Sequence, residues 1–249
     1  MHDHAIQCTQ DPLLVALSYL VSVLGSFTAL QLAVSIPVAR NTGQRLQSIL
    51  GAAAALGIGA IWAMHFIAML ACKMDMQVTY DLPLTVLSAI IGLAAVAAGL
   101  AIVGTGQFNM GKLALAGILT GLGVAGMHYT GMAAMRMPAE ISYDDTLVIA
   151  SVAVAIVASC VALWLAFNLR GWVRMLGSAL MMAVAVCGMH YTGMAAAKFI
   201  PVVDADIAST GILGGAWLGM GVFAIATVLL SATLVITILR RQKRADIAA

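Results

Sequence analysis

Long apolar runs alternate with short polar breaks along nearly the whole chain. Seven runs stand out, at 13–36, 47–71, 84–105, 112–135, 147–168, 172–197 and 215–239. Each is long enough to cross a bilayer core, which takes about 20 residues of helix. The runs are continuous rather than alternating with period two, so they predict helices and not barrel strands. In lipid the backbone must satisfy its own hydrogen bonds, and a helix does so within one segment. The pattern predicts an all-α membrane protein with seven transmembrane helices.

The polar breaks carry a charge asymmetry. Basic residues fill alternate breaks: Arg40 and Arg45, then Lys112, then Arg170 and Arg174, then Arg240, Arg241, Lys243 and Arg244. The acids gather in the others, as Asp3, Asp11, Asp75, Asp81, Glu140, Asp144, Asp145, Asp204 and Asp206. Positive-inside reasoning places the N-terminus outside and the C-terminus in the cytoplasm. Residues 1–12 then form an extracytoplasmic tail, 13–239 one seven-helix membrane domain and 240–249 a basic cytoplasmic tail. No basic segment precedes the first run, so no cleavable signal peptide is expected. The composition agrees: of 249 residues, 63% are hydrophobic and 9% charged, against about 45–50% and 25% in soluble domains. A nucleophile elbow, a phosphate loop and a basic nucleic-acid surface are all missing from the sequence, so neither enzymatic activity nor a nucleic-acid partner is expected.

Against this background one six-residue phrase recurs. It reads Met64-His65-Phe66-Ile67-Ala68-Met69, Met127-His128-Tyr129-Thr130-Gly131-Met132 and Met189-His190-Tyr191-Thr192-Gly193-Met194. The histidines are 63 and 62 residues apart. A cation follows each by eight residues (Lys73, Arg136, Lys198) and an aspartate by sixteen (Asp81, Asp144, Asp206). A fixed period marks a repeated structural unit. The unit is a helix pair, so helices 1–2, 3–4 and 5–6 form three repeats and helix 7 is left over. Each motif histidine stands about six residues, or roughly 9 Å, below the outer end of its helix. Threefold packing of the pairs would bring all three histidines together.

Histidine is costly in a membrane helix and usually has a task there. Residues four apart share a helical face, which stacks His65 with Met69, His128 with Met132 and His190 with Met194. Met64, Met127 and Met189 are rotated by about 100°; they border the same site or pack on a neighbour. Imidazole with thioether suits a soft or borderline cation, so copper is expected ahead of zinc or haem iron. The motif lacks carboxylates, which argues against calcium and magnesium. Bland readings stand beside this one. A lone helical histidine is commonly hydrogen-bonded within the bundle, and most of the sixteen methionines are core filler. Gly126, Gly131, Gly188 and Gly193 allow close helix packing. Lys73, Arg136 and Lys198 are expected to snorkel to the interface. Tyr129 and Tyr191 are either interfacial or hydrogen-bonded to the site; Thr130 and Thr192 are expected to bond within the bundle. The repeated aspartates either draw cations to the outer mouth or cap loops. His2 and His4 belong to the tail. Cys8 and Cys72 share the outer side, where a disulfide is possible but not expected from spacing alone. Cys160 and Cys187 read as small packing residues.

The Met-His-Tyr-Thr strings at 127–130 and 189–192, with the variant Met-His-Phe-Ile at 64–67, resemble the MHYT family across almost the whole chain. The resemblance implies a bacterial inner-membrane sensor. Its copper would be bound by His65, His128 and His190 with Met64, Met69, Met127, Met132, Met189 and Met194. The ligand sensed would be oxygen, carbon monoxide or nitric oxide, or else a change of redox state. Family members often continue into cytoplasmic output domains. This chain ends ten residues after Leu239, so the resemblance here implies signalling through a separate cytoplasmic or membrane partner. The competing expectation is a copper-handling protein, for transport or metal delivery.

Overall fold

The computed structural model describes residues 6–202, 213–214, 217–224, 226–228, 231 and 235. Asp3, His2, His4, Asp204, Asp206, the basic tail at 240–249 and most of the seventh run beyond Val228 lie outside the described residues.

Among the described residues, six helices are long and apolar enough to cross a membrane: α1 (Pro12–Ala33), α2 (Thr42–Ala71), α3 (Leu82–Gly104), α4 (Met110–Ala133), α5 (Asp145–Asn168) and α6 (Trp172–Ala196). Helical residues between Trp217 and Val228 belong to a seventh; there Leu218, Val222 and Ala226 are buried, four apart on one face. Large apolar side chains such as Leu24, Ile90, Leu122, Ile149 and Val157 lie exposed on the outside of the bundle, as lipid contact requires. The architecture is that of an all-α, multi-pass membrane protein.

Most helices start earlier than their apolar runs, because polar caps lie outside the run. Asp11, Asp81 and Asp144 cap α1, α3 and α5 by accepting from the backbone N–H groups of Leu13, Leu84 and Leu147. Asn41 and Asn109 cap α2 and α4 in the same way. Such a cap typically contributes about 1 kcal/mol. The cap at Asn41 moves the start of α2 from the expected residue 47 back to Thr42.

The six helices close into a ring. Each packs on its sequence neighbour, α6 returns against α1, α2 touches both α4 and α6, and α4 meets α6 where His128 lies against His190 and Gly193. Small residues permit this: a Cβ added at Gly25 of α1 would strike the backbone at Ala60, and one at Gly57 of α2 would strike the Gly92 carbonyl of α3. α2 is irregular. It is α-helical over Thr42–Ala53, a π-helix over Ala54–Trp62 and α-helical again over Ala63–Ala71. The wide turns end just before the first motif; π segments often sit beside functional sites.

At the motif end of the bundle the connections form short antiparallel strands that the apolar pattern did not predict. β1 (Thr9–Gln10) pairs with β2 (Cys72–Lys73). β3 (Thr79–Tyr80) pairs with β4 (Met135–Arg136) and with β7 (Leu213–Gly214). β5 (Ala139–Tyr143) pairs with β6 (Ala197–Pro201). Beside each pair, the capping aspartate donates its backbone N–H to the last turn of a motif helix. Asp11 reaches Ala71 at 2.8 Å, Asp81 reaches Ala134 at 2.8 Å and Asp144 reaches Ala196 at 2.9 Å. Each helix pair is thus latched at one end, and the three latches repeat the threefold pattern.

Of the repeated aspartates, Asp81 and Asp144 act as helix caps and latches, and Asp11 does the same for α1; Asp206 lies outside the described residues. Two of the repeated cations approach these caps: Lys73 lies 3.8 Å from Asp11 and Arg136 lies 3.2 Å from Asp81. Cys8 and Cys72, which spacing alone did not pair, form a disulfide with Cα atoms 5.3 Å apart. β1 holds Cys8 against the end of α2, and this proximity was invisible in a separation of 64 residues.

Candidate metal centre

The ring geometry brings the three motif histidines together. Each is 1% exposed. His65 Nδ1 lies 3.1 Å from His190 Nδ1 and 3.1 Å from His128 Nδ1. The rings meet edge to face, with centroids 4.8 to 5.2 Å apart. Among the described residues they form a group of three potential ligands within 4.8 Å of one another, and such a group can hold a metal ion.

The donor set fits a small cation. Imidazole–metal bonds are about 2.0–2.1 Å. Two nitrogens 3.1 Å apart would then subtend about 98° at the metal, close to a three-nitrogen face of a tetrahedral or octahedral site. Positions on the open side of that face would remain free. The three Nε2 atoms point away from the axis, and none has a hydrogen-bond partner. A Cβ added at Gly131 would meet His65 Nε2, and one at Gly193 would meet His128 Nε2. The glycine three residues after each of these motif histidines is therefore the seat for the preceding repeat's ring. The first motif has Ala68 at this position, itself 1% exposed.

The methionines divide by position. Met69 and Met132 are buried one turn further toward the latched end, on the histidine face of the helix. Met69 also lines a crevice at the latched end with Met74, Met76 and Tyr80. Met194 packs against the core. Of the preceding set, Met64 is buried. Met127 leans on α3, where a Cβ at Gly92 would lie 3.3 Å from its Cγ, and Met189 borders an apolar cavity below the triad.

A polar ring supports the motif helices and had gone unnoticed in the sequence. Ser18, Ser88 and Ser151 each stand seven residues after a capping aspartate, and each is fully buried. Tyr129 Oη lies 2.7 Å from Ser151 Oγ. Tyr191 Oη lies beside Ser18 but falls outside hydrogen-bond geometry. The first motif has Phe66, which lacks a hydroxyl, and Trp62 replaces it by donating its indole N–H to Ser88 at 3.0 Å. Motif helices α2, α4 and α6 thus address α3, α5 and α1, which completes the cycle. The spacing Asp-x6-Ser was present three times as a signal. The Phe-Ile variant also has a physical cause. Phe66 and Ile67 are 0% and 3% exposed, α2 is the most enclosed helix, and Gly219 of the seventh helix packs at Leu70. Thr192 bonds the Gly188 carbonyl of its own helix at 2.7 Å.

The latched end has its own electrostatics. The Leu84 N–H and then the Arg136 guanidinium hold the Asp81 carboxyl below the usual carboxylate range. Burial pushes the Tyr80 hydroxyl upward. Burial, with Tyr129 adding to it, pushes Tyr143 up to about 12. Both phenols are neutral donors at physiological pH.

Comparison with known proteins supports the repeat. A family model described as MHYT, a bacterial signalling protein N-terminal repeat, matches residues 59–116, 121–179 and 184–249. Each match opens inside a motif helix, six or seven residues before its histidine. The bifunctional diguanylate cyclase/cyclic di-GMP phosphodiesterase MucR of Pseudomonas aeruginosa is 39% identical over 96% of this chain and 36% of its own length. The cyclic di-GMP phosphodiesterase NbdA of the same organism is 40% identical over 76% of this chain and 24% of its own length. The signaling protein YkoW of Bacillus subtilis is 32% identical over 78% and 25%. The chain spans about a third or less of the length of these curated relatives. No solved structure matches it. With three repeats matched and the same three histidines brought to one point, the chain belongs to the MHYT family of bacterial signalling-protein repeats.

Proposed function

We propose that this chain is a metal-dependent membrane sensor, with copper bound by Nδ1 of His65, His128 and His190. The observation that carries the reading is the set of three buried imidazoles with converging Nδ1 and partnerless Nε2 atoms. An unsatisfied buried polar group costs about 1–3 kcal/mol, and three together are retained for a task that packing does not supply. Met69, Met132 and Met194 close the site from the latched end, and their thioethers favour copper over zinc. Met64, Met127 and Met189 wall the site without binding the ion. An iron porphyrin does not fit between rings in edge contact.

The charged breaks orient the protein with its latched end and N-terminus outside the bacterial inner membrane and its C-terminus in the cytoplasm. Residues 13–239 are the membrane domain, between an outer tail and a basic cytoplasmic tail. A diatomic gas, oxygen, carbon monoxide or nitric oxide, takes an open position on the copper, or the copper changes oxidation state. Either event moves the bundle only if it favours one packing over another. The chain itself has no enzymatic role and passes the change to a cytoplasmic or membrane partner. Elemental analysis of detergent-purified protein tests the reading. About one copper per chain, lost when His65, His128 and His190 are replaced by alanine, with spectra altered by carbon monoxide or nitric oxide, supports it. A chain that takes up neither Cu(I) nor Zn(II) overturns it.

A second reading, copper handling, is favoured by the outer crevice with three methionines, Met69, Met74 and Met76. Uptake of radioactive copper by proteoliposomes would select it; copper retained by the chain without uptake would select the sensor.

A further inference from the structure

Directly below the triad, the three motif helices contribute equivalent residues to one apolar cavity. Ile61, Val124 and Val186 each stand four residues before a motif histidine, and all three line it, as does Met189. Four residues is one helical turn, about 6 Å. The cavity therefore begins about one helical turn from the histidines, on the side away from the latched end, and runs along α5, which supplies Ala155, Ala158, Ser159, Ala162, Leu163 and Ala166 to its wall. It has a volume of about 50 Å³, far below the roughly 300–1,000 Å³ of pockets for larger organic ligands. Thr120 and Ser159 are the polar side chains in its wall, and the Thr120 hydroxyl donates to the Ala95 carbonyl at 3.3 Å. A chamber of this lining offers water few partners and stays dry.

Its side wall is thin. Ala158, Met182 and Ala185 line both this cavity and a hollow of about 450 Å³ between α5 and α6. At the rim of that hollow, Val157 and Met181 are 63% and 64% exposed, on the apolar face that meets lipid. Two alanines leave little bulk between the two spaces, and methionine is an adaptable side chain that swings aside at low cost.

We propose that the cavity is a docking chamber for an uncharged diatomic molecule that enters from the bilayer between α5 and α6, past Met182, and meets the histidine triad from below. The size admits a diatomic and excludes a lipid chain. The lining favours apolar solutes over ions and water. The position places the occupant about one helical turn from the triad, on the side opposite the latched end, with Met189 in the wall between them. What the molecule does at the triad rests on the gas-binding function proposed above; the chamber is a property of the chain without metal.

Xenon is the probe for the chamber. Xenon-129 NMR on the metal-free, detergent-purified full chain is expected to show a saturable shift, lost in Val186→Phe, which fills the space. A shift that rises linearly with xenon pressure in the wild-type chain overturns the proposal, and this measurement needs no variant to fold. The route is read separately on the Cu(I)-loaded chain by carbon monoxide association after flash photolysis. Ala158→Phe is expected to slow association several-fold with copper content and melting temperature unchanged; an unchanged rate overturns the route. If the loaded chain takes no carbon monoxide, the sensor reading fails while the xenon result still decides the chamber.

Discussion

Substituting Gly131 by alanine probes the triad with one methyl group. The new Cβ would meet His65 Nε2 and lie 3.0 Å from His65 Cδ2. Ordinary carbon contacts are about 3.5–4.0 Å, so the ring must move by roughly 0.5–1 Å. It cannot retreat toward the axis, because its Nδ1 is already 3.1 Å from the Nδ1 atoms of both His128 and His190. The ring must turn, and its Nδ1 leaves the common point. Metal sites tolerate about ±0.2 Å in ligand distance, so copper affinity is expected to fall by about 10–100-fold or more, the range seen when a ligand loses its positioning. The effect on folding is smaller. Overpacking costs about 1–3 kcal/mol, offset by up to about 1 kcal/mol from better helix propensity. Gly193→Ala should behave alike, since its Cβ meets His128 Nε2. Gly126→Ala and Gly188→Ala are the controls: the first meets Ile91 at an ordinary 3.8 Å and the second meets nothing within 4 Å. Titration against a chromophoric Cu(I) chelator reads the affinity and thermal melting reads the fold. Wild-type affinity in Gly131→Ala, or an equal loss in Gly188→Ala, would refute the reasoning.

Other predictions follow from the latches and the serine ring. The folded Asp81 carboxyl is held low, so its stabilisation is present above the ordinary carboxylate range near pH 4 and lost as pH falls through the lowered value. Melting temperatures from pH 7 to 3 should therefore drop less steeply in Asp81→Asn than in the wild-type chain. Trp62→Phe removes the bond to Ser88 and should cost about 0.6–1.7 kcal/mol, typical of interhelical bonds in membranes; no change in melting would show the bond to be idle. Cys72→Ser opens the clasp to Cys8 and should cost about 2–4 kcal/mol in denaturant titration, matched by thiol reduction of the wild-type chain.

Much of the fold could be read along the chain because lipid imposes simple rules. Apolar runs located six helices to within a few residues, apart from the start of α2, where Asn41 caps a polar turn. Repetition of the motif foretold that His65, His128 and His190 would share one place. What escaped was the chemistry that crosses between repeats. The serine that supports each motif comes from a different helix, so the pairs Tyr129–Ser151 and Trp62–Ser88 appear only once the ring closes. The flanking glycines looked alike in sequence, yet Gly131 and Gly193 seat imidazoles whereas Gly188 faces open space. The aspartate spacing shows in the sequence at Asp81 and Asp144, whereas Asp11 precedes the first motif and its equivalence to them appears only in the folded chain.

Copper K-edge X-ray absorption on the Cu(I)-loaded chain tests the central claim most directly. Nitrogen scatterers from three imidazoles at about 2.0 Å, lost in the variant with His65, His128 and His190 replaced by alanine, are the result predicted. A first shell of sulfur alone near 2.3 Å, or one unchanged in that variant, would contradict it.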